Sequence, residues 1–279
     1  MGEVARHRLR RRHGSTLTRY THGHAEAVLR SHRWRTAANS AAYLLPHLHD
    51  GQRLLDVGSG PGTITADLAR LVREVVALEV DEDAAELTRA ELERQGITNA
   101  TVVVGDVHAL EPGDGTFDVV HAHQVLQHVP DPVGALREML RVTRSGGLVA
   151  VRDSDYGHFS WHPASSGLDR WLELYDAAAR ANGGEPHAGR MLLAWAHAAG
   201  ATDVVAGSST WCYADDADRE WWGALWADRI TSTALARQLV AEGRATADEL
   251  AEVAAAWRAW AADADGWFSV LHGEVLVRA

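Results

Sequence analysis

Short apolar runs alternate with longer segments of helical period through the first half of the chain. Arg53 to Val57, Glu74 to Val80, Ala100 to Val104, Asp118 to Ala122 and Leu148 to Arg152 are apolar with little polar alternation. That is the pattern of strands covered on both faces. Between them, Thr63 to Val72, Asp83 to Gln95 and Pro132 to Val142 read as helices, with Gly96 and the Gly146–Gly147 pair as stops. Strand and helix alternate, which predicts an α/β fold with a mostly parallel sheet flanked by helices. A helical segment precedes it from Ala25 to Leu48, interrupted around His32 to Arg35, with Pro46 and Gly51 at its exit. Residues 1–19 read as a loose arm.

The pattern changes after residue 160. Leu168 to Asn182, Gly189 to Ala199, Asp216 to Glu242 and Thr246 to Ala262 are helix candidates. Thr202 to Tyr213 and Phe268 to Arg278 are strand candidates, and they would complete a seven-stranded sheet. The helices not needed for alternation would cap the strand ends. Ten of the eleven tryptophans lie in this half, which points to an aromatic core or pocket there. No internal repeat or low-complexity linker interrupts the chain. The expected organisation is an arm with cap helices over residues 1–49 and a ligand-binding core over 50–155. A cap, with the last elements of the sheet, follows over 156–279.

Composition narrows the class. The 279 residues suffice for one large domain or for one domain carrying a cap. A net charge of −11 repels phosphate backbones, so a nucleic-acid partner is not expected. The basic run Arg6 to Arg12 reads as a solubilising tail, with a local basic patch as the alternative. A single cysteine, Cys212, rules out an intrachain disulfide and a cysteine metal cluster; no metal is expected. No apolar run is long enough for a membrane span. The basic N-terminus lacks an apolar segment and a cleavage site, so a cytoplasmic monomer or homodimer is expected.

The sharpest local signal is Leu54-Leu55-Asp56-Val57-Gly58-Ser59-Gly60-Pro61-Gly62, set between a strand and a helix. Glycines there permit close backbone approach to a ligand. The dinucleotide fingerprint needs G-x-G-x-x-G, and Thr63 stands where its last glycine belongs. Glu79 lies near the end of the second strand, where a carboxylate can accept both ribose hydroxyls of an adenosine. An exposed acid at a strand edge is the plainer reading. Asp81 or Asp83 suits a helix cap. Asp106, after Gly105, is placed to meet an adenine amine or to close a turn.

This order resembles the class I S-adenosylmethionine-dependent methyltransferases. The resemblance runs through Val76-Ala77-Leu78-Glu79-Val80, Gly105-Asp106-Val107 and Phe117-Asp118-Val119-Val120. Val125-Leu126-Gln127-His128-Val129, Leu136-Arg137-Glu138 and Gly146-Gly147-Leu148 are similar to the ubiquinone/menaquinone biosynthesis type. It covers about residues 50–155. Ser145 replaces the proline common before the paired glycines, a change in a turn. The resemblance implies a Rossmann-like seven-stranded sheet whose last strand is antiparallel, and S-adenosyl-L-methionine as cofactor. It implies that Gly58, Ser59 and Gly60 hold the methionine end, supported by Asp56. Glu79 and Val80 would meet the ribose, and Gly105, Asp106 and Val107 would frame the adenine. His123 and Gln124 would lie beside the methyl group, with His128 structural or lining the pocket.

Other segments extend the resemblance: Tyr20-Thr21-His22-Gly23-His24, Leu29 to Thr36, Trp226-Ala227-Asp228-Arg229 and Gly266-Trp267-Phe268. They look like a subgroup that includes the fungal gliotoxin bis-thiomethyltransferase. That implies S-methylation of a thiol or reduced dithiol natural product. C- or O-methylation of a quinol-like or phenolic metabolite is the alternative, and a non-catalytic cofactor-binding module is a third. Tyr20 is a cofactor and substrate candidate, or merely an anchor for the arm. Arg35 suits the cofactor carboxylate, a substrate anion or a salt bridge. His24, Gln124, His128, Asp155, Tyr156 and Trp161 are substrate-pocket candidates. His123, Asp155 and Tyr156 are the groups that could orient or deprotonate the acceptor. Trp221, Trp222 and Trp226 have helical spacing and face either core or pocket. Cys212, inside an apolar strand, is a poor nucleophile candidate.

Overall fold

A computed structural model describes residues 34–279. The chain enters through a short helix, α1 (Ala37–Ser40), and a one-turn 3-10 helix over Leu45–His47 with Pro46 in its first turn. Alternation then follows: β1 (Arg53–Val57), α2 (Thr63–Ala69), β2 (Glu74–Glu79), α3 (Glu82–Arg94), β3 (Ala100–Val104), β4 (Phe117–His123), α4 (Pro132–Val142) and β5 (Thr143–Ser154). Asp81 and Asp131 cap α3 and α4 by accepting backbone N–H groups, so each helix starts where a short acceptor precedes the apolar period. The second half contributes β6 (Ser160–His162), α5 (Ser166–Ala181), α6 (Ala188–Ala199), β7 (Asp203–Tyr213), α7 (Asp216–Ser232), α8 (Ala234–Ala241), α9 (Ala247–Ala262) and β8 (Trp267–Arg278).

The sheet runs β3-β2-β1-β4-β5-β8, and β7 pairs β8 on its far side. Strands β1 to β5 pair in parallel, whereas β8 is antiparallel to both β5 and β7. This is the class I methyltransferase architecture expected from the sequence, Rossmann-like with a helical cap. The eighth strand is the three-residue β6, which pairs Trp267 to Ser269 beyond the end of β5. Val103 and Val104 of the edge strand β3 and Val205 of the edge strand β7 are exposed.

Two predicted helices differ. Asp216 to Glu242 breaks at Thr233, whose backbone is extended and whose hydroxyl donates to the Arg229 carbonyl, ending α7. Of the predicted Ala25 to Leu48 helix, the described part holds only α1, which ends where the Ala41 backbone turns out of the helix at φ −136°, and the 3-10 turn, whose first turn accommodates Pro46.

Helices α5, α7, α8 and α9 form a cap with its own aromatic core. Trp171 meets Trp226 and Trp257 edge-on at centroid distances of 4.5 and 4.9 Å, and all three are fully buried. Among the described residues, no helix is long and apolar enough to cross a membrane.

Candidate functional site

The strand ends of β1, β2 and β4 converge on the glycine turn. Asp56, buried in β1, accepts from Thr65 Oγ1 at 2.6 Å and from His121 Nδ1 at 2.7 Å. These bonds tie the turn to both α2 and β4. Gly58, Gly60 and Gly62 all adopt left-handed backbone. Gly58 has a second reason to be glycine, since a Cβ there would lie 2.6 Å from Val125 Cγ2.

Glu79 closes the turn from β2. Its carboxylate accepts the Gly60 N–H and, at 3.3 Å, the Val80 N–H. The Thr88 hydroxyl of α3 donates to the Gly60 carbonyl at 2.7 Å and accepts from Ser59 at 2.9 Å. Burial pushes the Glu79 carboxyl up to about 7, and its backbone hydrogen bonds pull the other way. Gly105 donates its N–H to the Glu79 carbonyl, which sets β3's exit beside β2's.

At the end of β4, His123 is buried, and neither ring nitrogen has a hydrogen-bond partner among the described residues. Burial holds it well below the usual histidine range, with Arg35 and Arg152 adding to the shift, so the ring is neutral. Gln124 follows with φ 55°, a left-handed conformation uncommon outside glycine and often functional. Its Oε1 accepts from Arg35 Nη2 at 2.6 Å, and its Nε2 donates to Ser154 Oγ at 2.8 Å and to His272 Nε2 at 2.9 Å. His272 Nδ1 donates in turn to the Val270 carbonyl at 3.1 Å, which fixes its tautomer.

Beyond Gln124 lies a small cavity walled by aromatic rings of the cap and the entering segment. Trp34, Tyr156, Tyr213, Trp222 and Trp226 supply the walls, and His128, Arg35 and Arg229 reach it. Trp34 meets Trp211 edge-on at 5.2 Å, and Tyr213 stacks on Trp222 at 4.3 Å. No carboxylate lines this cavity among the described residues. Burial drives His128 down to about 3, helped by Arg35, and lifts the Tyr156 hydroxyl above its ordinary range.

A methyltransferase domain model matches residues 48–196. An uncharacterised methyltransferase of Schizosaccharomyces pombe is 33% identical over 270 residues, covering 93% of this chain and 96% of its own. The chain is a class I S-adenosylmethionine-dependent methyltransferase. A ubiquinone/menaquinone biosynthesis C-methyltransferase of Idiomarina loihiensis is 34% identical over 129 residues, covering 45% of this chain and 49% of its own. The methyltransferase is thus related to the quinone-biosynthesis type. Its fold is also that of the YcgJ protein of Bacillus subtilis, with a TM-score of 0.57 at 16% identity, covering 85% of this chain and 96% of that one.

The methyltransferase's donor set fits its cofactor. A buried carboxylate ends β2, a turn of three left-handed glycines follows β1, and the His123 nitrogens lack partners among the described residues at the end of β4.

Two of the substrate-pocket candidates, Asp155 and Trp161, lie away from the cavity. Asp155 is buried, but Arg190 of α6 grips both its oxygens at 2.7 and 2.6 Å, and His158 approaches at 3.1 Å. It fastens the β5 exit to α6 and lines no part of the cavity. Trp161 stacks on Phe268 at 5.7 Å and packs against the cap core instead of the cavity. Val107 is buried in the sheet's core cluster. Asp106 is exposed and occupied by His108, whose backbone N–H and Nδ1 lie 2.9 and 2.8 Å away. Val80 is largely exposed. Tyr20 and His24 lie outside the described residues.

The sequence reading missed His272, Ser154 and Arg229. Trp222, Trp226 and Arg229 follow a helical i, i+4, i+7 stripe, a signal that places Arg229 on the same face as the cavity rings.

Proposed function

We propose that this methyltransferase O-methylates a small quinol-like or phenolic metabolite. The observation that carries the reading is the cavity itself: flat aromatic walls, two guanidinium groups and no carboxylate among the described residues. Aromatic walls suit a planar ring. Arginines suit an oxygen that carries or develops negative charge, and they oppose a cationic amine. The relationship to quinone-biosynthesis methyltransferases, an O-methyltransferase among them, supports the same acceptor class.

In this reading residues 50–155 hold the cofactor and the cap over 156–279 selects the acceptor. Glu79 takes the ribose hydroxyls once it releases the Gly60 N–H. Gly58, Ser59 and Gly60 receive the methionine end, with Arg35 beside its carboxylate. Gly105 and Asp106 border the adenine. His123, Gln124, His128 and Tyr156 surround the acceptor, and the neutral histidines and the un-ionised tyrosine orient it instead of abstracting a proton.

A second reading is S-methylation of a thiol or reduced dithiol. The quinone-enzyme likeness covers under half of this chain, so it leaves open the acceptor that the cap over 156–279 would select. Mass spectrometry of a panel of quinols, phenols, reduced dithiols and amines, each with S-adenosylmethionine, separates the two. Methylated quinols or phenols support the proposal. Methylation of dithiols alone, and only with reductant present, replaces it with the second reading. Methylated amines with untouched phenols and thiols would end both.

A further inference from the structure

Tyr213 and Trp222 wall the acceptor cavity from the end of β7 and from α7. Their rings stack at a centroid distance of 4.3 Å, 10° from parallel. Tyr213 is fully buried and Trp222 is 5% exposed. The Tyr213 hydroxyl and the Trp222 N–H both lack a hydrogen-bond partner among the described residues. Other polar groups of the wall are spent inside the protein. Trp211 gives its N–H to the Asn39 carbonyl at 2.6 Å, His128 meets the Gln127 amide at 3.0 Å, and Gln124 is bonded to Arg35, Ser154 and His272. A buried polar group without a partner is costly, and on a cavity wall a ligand can supply the partner. Trp171 and Trp257 also leave their indole N–H groups unpartnered, but inside the cap core. The cap thus tolerates a lone indole, and the weight falls on the hydroxyl. It lies in the field of Arg35 and Arg229, which both border the cavity.

Resting on the acceptor reading above, we infer that the acceptor carries a second oxygen besides the reacting atom, and that Tyr213, with Trp222 beside it, reads that oxygen by hydrogen bonding. Burial keeps the Tyr213 hydroxyl protonated, so it can donate, and an indole N–H only donates. The matching ligand group is therefore an acceptor oxygen: a ring carbonyl, an ether or a second hydroxyl. A ring without that oxygen leaves Tyr213 buried and unpartnered, whereas a ring that bears it supplies the bond. A site built to hydrogen-bond one ligand group rejects the analogue lacking it far more strongly than an apolar pocket rejects a change in size. The substrate class narrows from any phenol to a ring with two such substituents, one methylated and the other held by the cap. Tyr213 is in this account a specificity residue, with no part in the methyl transfer itself.

The test compares matched rings and needs no turnover. The protein saturated with S-adenosylhomocysteine is titrated calorimetrically with the ortho, meta and para isomers of methoxyphenol, and with the ethylphenols of the same shape that lack the second oxygen. The corresponding methoxy- and ethyl-thiophenols are titrated alongside, under reductant. In the wild type at least one methoxy isomer should bind about tenfold or more tighter than its ethyl partner. Tyr213→Phe should bring that pair within about threefold, by weakening the methoxy compound and leaving the ethyl compound unchanged or tighter. The same variant should melt at the wild-type temperature or above it, since it removes a buried hydroxyl that has no partner. Equal binding within every pair in the wild type, or a preference that survives Tyr213→Phe, would overturn the inference. So would a melt lowered by several degrees, which would show that the hydroxyl has a structural partner. Methylation assays on the same compounds separate the inference from the reading beneath it. If only thiols are methylated and their methoxy forms bind tighter, the phenol reading fails and the inference stands. If phenols are methylated with no preference in any pair, the reading stands and the inference fails. If no compound of either series binds, both fail.

Discussion

Glu79 and Gly60 are bonded to each other across the cofactor turn, the carboxylate accepting the glycine N–H. The acid proposed to bind the ribose therefore first holds the loop that receives the methionine. Cofactor entry exchanges that bond for bonds from two hydroxyls, and only the ionised carboxylate accepts both. Because burial raises the Glu79 carboxyl to about 7, S-adenosylhomocysteine affinity should rise about tenfold between about pH 6 and about pH 8. Calorimetry in Glu79→Gln should give a flat profile at the weaker level, and an unchanged profile would assign the dependence elsewhere. Stability moves the opposite way. A carboxyl raised on folding contributes fully below the usual carboxylate range, and that contribution is lost as pH rises through about 7.

Gly58 and Gly60 share left-handed backbone but not surroundings. A Cβ on Gly58 meets Val125 at 2.6 Å, whereas one on Gly60 meets nothing within 4 Å. Gly60→Ala should cost the unliganded protein about 1 kcal/mol of backbone strain. Gly58→Ala should cost about 2–4 kcal/mol, since the clash adds to the strain. Adding Val125→Ala should recover part of the Gly58 loss and none of the Gly60 loss in denaturant melts. Equal recovery in both would mean that Val125 does not contact the turn as described.

The core was legible in the sequence because each element carried its own signal. Asp56 to Gly62, Glu79 and Asp106 are close in sequence to strand ends, and parallel strands put those ends side by side. The cap was not legible in the same way. Its tryptophans fill a core and line a cavity with the same residue type, so composition did not separate Trp161, which stacks on Phe268, from Trp222, which faces the cavity. His272 lies 148 residues from its partner Gln124, and only the antiparallel pairing of β8 with β5 joins them. Asp155 looked reactive because its loop is rich in titratable groups; its partner Arg190 lies on a helix that sequence spacing did not bring near it.

Asp155 and Arg190 give the clearest contrast between a structural acid and a base. Asp155→Asn keeps the shape and removes the charge that pairs with Arg190. The Arg190 side chain is 40% exposed, so solvent screens part of the loss, and about 1–3 kcal/mol of stability should go. The folded fraction should keep kcat within about twofold, because the carboxylate lines no part of the cavity. A fall of about a hundredfold or more at unchanged Tm would restore Asp155 as a catalytic group.

Gln124 is where the cofactor turn, the entering segment and the last strand meet, and its left-handed backbone holds the amide between Arg35 and His272. The His272 ring accepts at Nε2 because Nδ1 donates to the Val270 carbonyl, so Gln124 presents its nitrogen to β8 and its oxygen to Arg35. His272→Ala removes the acceptor that fixes this orientation, and leaves Ser154 as the remaining acceptor for the amide nitrogen. The amide can then turn, and Arg35 loses the Gln124 Oε1 acceptor. We expect His272→Ala to lower kcat/KM about tenfold, mainly through KM for S-adenosylmethionine, as Arg35 drifts from the carboxylate it would bind. His272→Gln, which can also accept from Gln124, should recover part of that loss, and Gln124→Leu should not be worsened by adding His272→Ala. If the two substitutions add fully in the double variant, the residues act independently and the relay through Gln124 is wrong.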